Sequence, residues 1–142
     1  LQCNILRCIV LKEIIKDIVS RIKVYLPEVV LNPYKGEFEP EGEWNPVFPV
    51  CFYRLSSFGS SEVTSSASIL KFAGTIEFLV GTKSTEELEC VDLCESIFNT
   101  LNGYEITVNA FQTANIQDIT ISPYGYAPGG VEIYSLKLKI GM

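Results

Sequence analysis

Histidine is absent from this chain of 142 residues, and with it the side chain that most often serves as general base for a serine or cysteine nucleophile. The serine clusters therefore have no imidazole to activate them, and G-x-S-x-G does not occur. The phosphate loop G-x-x-x-x-G-K-[ST] is missing as well, so the chain carries no recognisable nucleotide cradle. Long uncharged runs are lacking too. The apolar run at 8–11 is bounded by Arg7 and Lys12, with Glu13, Lys16 and Asp17 close behind, whereas a signal peptide or membrane span needs a much longer one. A soluble chain with no membrane partner is expected. Basic residues are scarce, 11 Lys and Arg against 17 Asp and Glu, for a net charge of −6. Phosphate affinity comes from clustered cations, so free nucleic acid is not expected as a tightly bound partner.

Five cysteines, an odd number without a C-x-x-C pair, form no disulfide framework and point to reduced thiols in a cytoplasmic compartment. Cys90 and Cys94 are four apart, a helical spacing that could aim two thiolates at a soft metal. Zinc wants four ligands, however, and histidine cannot supply the rest. Buried thiols are the simpler reading for these two and for Cys3, Cys8 and Cys51. No metal and no cofactor are expected.

What is present is apolar periodicity: 47% of residues are hydrophobic, enough for one domain over 1–142 that buries roughly two-thirds of its unfolded surface. Ile5, Leu6, Ile9, Val10, Ile14, Ile15, Ile18, Val19, Ile22 and Leu26 make one stripe of a long helix that stops before Pro27. Residues 69–103 read as strand, turn and helix. Phe72, Ile76, Phe78 and Val80 give the strand, Ser84-Thr85-Glu86-Glu87 has the form of a capping box, and Asn102-Gly103 supplies a left-handed stop. Strands are expected at 46–55, 104–110, 116–122 and 131–140, with a glycine- and proline-rich connection over 122–130. The fold class implied is α+β, a mostly antiparallel, partly mixed sheet of about five strands with two helices on one face. Phe48, Val50, Phe52 and Leu79 fall on the other face, and an apolar surface there implies an oligomer.

Two stretches read as long loops. Residues 32–46 hold three prolines, two glycines and four glutamates, which excludes a helix or a central strand. Extended, this stretch projects Glu37, Glu39, Glu41 and Glu43 to one side. Such carboxylates could serve acid–base chemistry or calcium, but D-x-[DN]-x-[DN]-G is absent and a solvated acidic loop is the simpler account. Residues 56–68, with seven serines, read as a mobile loop or hairpin tip. The interaction residues expected are Glu37, Glu39, Glu41, Glu43 and Trp44 on the first loop, and Phe58, Ser60 and Ser61 on the second.

The long first helix, the strand "NPVFPVCFYRL" after a proline-rich loop, the unit "FAGTIEFLVGTKSTEELECVDLCESIFNTLNG" and the final "PYGYAPGGVEIYSLKLKI" together resemble the tail-terminator, or tail-completion, proteins of tailed bacteriophages and phage-tail-like particles. The resemblance spans nearly the whole chain and rests on shape and position, without catalytic signatures. It implies a non-enzymatic virion protein at the neck end of the tail, assembled in the bacterial cytoplasm. Its partners would be its own copies in a ring, commonly a hexamer, the tail-tube protein, and a sheath or head–tail connector protein. DNA would only pass through, repelled by an acidic wall. Two other readings stay open from the sequence, a ferredoxin-like small-molecule-binding or regulatory domain and another neck or baseplate component. Replacing Glu37, Glu39, Glu41 and Glu43 together with lysine is expected to impair DNA passage or docking; unchanged particle assembly and infectivity would contradict this.

Overall fold

A computed structural model of the chain describes residues 11–38, 49–62, 71–82, 89–108, 112–127 and 131–141. The order is α1 (Leu11–Tyr25), β1 (Val30–Pro33), β2 (Val50–Glu62), β3 (Lys71–Thr82), α2 (Glu89–Leu101), β4 (Glu105–Thr107), β5 (Thr113–Ala127) and β6 (Val131–Gly141). The strands form one curled sheet in the order β1-β2-β3-β6-β5-β4, with β1–β2 parallel and the other pairs antiparallel. The α+β class expected from the sequence is therefore what the chain adopts, with six strands rather than about five. The additional strand is β1, which sits at an edge, where Pro33 takes nothing from a central ladder.

Both helices pack on the same side of the sheet. Ile14, Ile18, Val19 and Ile22 of α1 and Cys90, Cys94, Ile97 and Leu101 of α2 are buried there with Phe72, Ile76, Phe78 and Val80 of β3 and Leu136, Leu138 and Ile140 of β6. The period of four along each helix meets the period of two along each strand. Polar contacts fix the helices laterally. Asp17 accepts from the Tyr104 hydroxyl at 2.5 Å and from the Thr107 N–H at 2.8 Å, and Arg21 Nε donates to the Thr100 carbonyl at 3.2 Å. The Arg21 guanidinium also lies over the rings of Tyr25 and Tyr104. Gly103 ends α2 at φ 79°, the left-handed stop expected from Asn102-Gly103. Residues 1–10 and the Ser84–Glu87 box lie outside the described residues.

Three expectations are corrected. Residues 56–62 are not a mobile loop but one arm of an extended hairpin: they continue β2 and pair with β3 from Ser57↔Thr75 to Glu62↔Lys71. Serine and glycine give little strand preference of their own, so the neighbouring strand imposes the conformation, and register shifts after Leu55 and Ser60 absorb the irregularity. Residues 122–127 likewise continue β5, with a register shift between Pro123 and Gly125. Thirdly, the apolar patch from which an oligomer was inferred is covered by the chain itself. Val50, Phe52, Leu79, Val131 and Ile133 are buried on the face away from the helices beneath Phe38, with Val30 and Tyr34 packed alongside. Phe48 lies outside the described residues.

Phe38 makes this second core possible. Its ring meets Phe52 edge-on at 5.1 Å and Tyr34 at 5.9 Å. Gly81 leaves room beneath it: a Cβ there would lie 3.0 Å from Phe38 Cζ and 3.3 Å from Val50 Cγ2. Phe38→Ala is expected to cost about 3 kcal/mol in urea unfolding, the usual scale for emptying a buried aromatic site. A loss below about 1 kcal/mol would show that the cap contributes little to the fold.

Candidate functional site

Beyond the Phe38 cluster, the face away from the helices turns polar. Strand alternation that places Phe52, Leu79 and Ile133 on this face also places Arg54, Glu77, Ser135 and Lys137 there. Together with residues 122–124 of β5, these groups line an open groove of about 630 Å³.

Glu77 is the centre of the groove, a carboxylate only 5% exposed on a central strand. Such a group persists only when paired and hydrogen-bonded. Arg54 Nε donates to its Oε1 at 2.7 Å, and the Ser135 hydroxyl donates to its Oε2 at 2.6 Å. Burial pushes the Glu77 pKa up, but the hydrogen bonds from Ser135 and Arg54, with the charges of Arg54 and Lys137, outweigh it, and the group lies below its usual 4.5. The Arg54 guanidinium lies over the Tyr34 ring at 5.2 Å and has Tyr124 beside it, so the groove also ties β2 to β5.

Chemically, this arrangement is suited to holding charge. Both oxygens of Glu77 are committed as acceptors, which leaves it a poor general base at neutral pH. Arg54 and Lys137 bring two cations against that one satisfied carboxylate, a balance suited to an acidic or polar group from a partner.

Cys51, Cys90 and Cys94 are buried free thiols. Burial holds the Cys51 pKa well above normal, and a hydrogen bond with Cys90 together with burial does the same for Cys94. Cys90 donates to the Val80 carbonyl at 3.3 Å. Among the described residues no group of three or more Cys, Asp or Glu side chains could hold a metal. Cys3 and Cys8 lie outside them, and no described helix is long and apolar enough to cross a membrane.

The residues expected from the sequence do not form one site. Glu37 stands next to the Phe38 cap, and its carboxylate accepts from the Lys35 N–H at 2.5 Å. Phe58 is not on a projecting loop; it is half-buried on the helix side, 5.2 Å from the Phe72 ring. Ser60 and Ser61 lie on β2, with side chains outside the description, as are Glu39, Glu41, Glu43 and Trp44. Sequence reasoning missed Arg54, Glu77 and Ser135. The signal was there: a glutamate inside "GTIEFLV" breaks an otherwise apolar central strand and requires a partner.

No protein-family model matches the chain, and no curated protein matches it in sequence. In fold, one solved structure, whose name describes no function, matches over 93% of this chain and 94% of its own, with a TM-score of 0.55 and 9% sequence identity. At that identity the likeness shows a shared fold and says nothing of activity or partners.

Because folding lowers the Glu77 pKa, the pair's contribution is full above the unfolded value near 4.5 and is lost as pH falls through the lower folded value. Glu77→Gln is expected to cost about 1–2 kcal/mol at pH 7, a range discounted for the half-open Arg54. The difference from wild type should shrink as pH falls below 4.5 and through the lower folded value, which urea melts across an acid series would read. Parallel stability curves for the two proteins would contradict the assignment.

Proposed function

We propose that this chain is a structural, non-enzymatic protein that assembles into a ring, acting as the terminator of a phage tail or phage-tail-like particle. Such a ring caps the last ring of tube subunits, ends polymerisation and offers a surface for joining the head. The reading rests on the resemblance in the order of elements. The observation that carries it is where apolar surface remains. Of the six exposed large hydrophobic side chains among the described residues, Leu55 lies on β2 and Ile121, Tyr124 and Tyr126 lie on β5. These strands stand on opposite sides of the sheet, each inside a short edge strand. Two different strand edges on one protomer, one carrying Leu55 and the other Ile121, suit a head-to-tail contact, which closes into a ring or runs on as a filament.

With the Val50–Leu79 patch covered by Phe38, the support for assembly moves from the sheet face to its two sides. The excess negative charge of residues 27–142 suits a passage that DNA crosses without sticking. The polar groove favours a second reading, a regulatory domain binding a small anion between Arg54 and Lys137. Particles assembled without this protein distinguish the two. Overlong tails in negative-stain images are the expected result, and tails of normal length would contradict the terminator reading.

A further inference from the structure

We infer that neighbouring copies join by main-chain strand pairing, with the open stretch of β5 in one copy zipping onto the open stretch of β2 in the next. This inference rests on the ring reading and names the contact that would build it.

On β2, the Val30 N–H donates to the Pro49 carbonyl at 3.1 Å and the Tyr34 N–H donates to the Tyr53 carbonyl at 2.9 Å. Alternation then directs the N–H and C=O of Leu55 to the same side. There β1 has ended at Pro33, and nothing among the described residues pairs with Leu55 on that side. The register shift between Leu55 and Ser57 makes Phe58 the next residue to face outward. On β5, the Val108 N–H donates to the Gln112 carbonyl at 3.1 Å, so Gln112 and Ala114 face β4. The shift between Ile116 and Asp118 then makes Ile119, Ile121 and Pro123 face outward, past the end of β4. Pro123 supports this parity independently, since proline fits where no ladder N–H is needed.

The two open stretches match. β2 is antiparallel to β3, β3 to β6 and β6 to β5, so β2 and β5 run in opposite directions. A neighbour rotated about an axis near the strand direction would present its β2 antiparallel to β5. Leu55 then pairs with Ile121, and Phe58 with Ile119, the extra residue on β2 falling in its bulge. Past Ile121 the Pro123 bulge bends β5 away, where β1 of the neighbour needs space; beyond Ile116, β4 closes the other end. Leu55 is 42% exposed and Ile121 37% exposed, and pairing would cover both. Within one copy Leu55 is level with Ile119, through Ile76 and Leu138. Pairing it with Ile121 staggers each copy by two residues, and stagger of one sense is what closed barrels with tilted strands require. Strand addition to an open edge is an established way for β proteins to associate.

The test compares exchange and assembly. In wild-type protein, hydrogen exchange at the amides of Leu55, Ile119 and Ile121 should slow at least about tenfold from dilute monomer to assembled species. Leu55→Pro deletes one outward donor and spares the β2–β3 ladder. It should raise the concentration needed for assembly at least about tenfold, whereas Leu55→Ser, which keeps the donor, should raise it far less. Should Leu55→Pro fail to fold, Ile121→Lys places a charge on the opposite edge and should have the same effect. Rings that form with these amides unprotected and with Leu55→Pro assembling like wild type would overturn the strand pairing and leave the ring reading standing. A wild-type chain that stays monomeric at every concentration would overturn both.

Discussion

Phe78 and Leu136 face one another across the β3–β6 pair with no residual exposure, and the core shared by both helices is built around that pair. This antiparallel pair sits at the middle of the sheet, with both helices laid along one side. Its side chains supply the surface that holds α1, a helix rich in isoleucine and valine whose own preference for helix is modest. Burial by the sheet gives that helix its reason to form.

The opposite face of the same pair is divided. One end is apolar and is closed by Phe38, which returns over Phe52 and Gly81. The other end is polar, and a buried carboxylate there, Glu77, is neutralised by Arg54 and hydrogen-bonded by Ser135. A buried charge contributes little net stability, so the trio's value lies in fixing how β2, β3 and β6 sit together. Apart from the open groove, the unused main-chain bonding capacity among the described strands lies at the edges of the sheet. That constraint connects the fold to the proposed assembly.

Much of this was legible in sequence because local and periodic signals agreed. The α1 stripe from Ile14 to Ile22, the strand at 131–140 and the Asn102-Gly103 stop all appear where the residues put them. What escaped was set by tertiary contact. Serine-rich 56–62 is a strand because β3 lies beside it, and Phe38, read as part of an acidic loop, is buried because Gly81 leaves a space for its ring. Neither fact has a local signature. Glu77 did have one, a charge in a central strand, but naming Arg54 and Ser135 as its partners required the register.

The central claim is that a protomer with two different open strand edges closes on itself around a symmetry axis. Sedimentation of the purified chain over a wide concentration range tests this most directly. The account predicts a shift from monomer to one discrete, ring-sized species, with no growth beyond it. A dimer as the end point, as two identical patches would give, or a ladder of ever larger polymers, would contradict it.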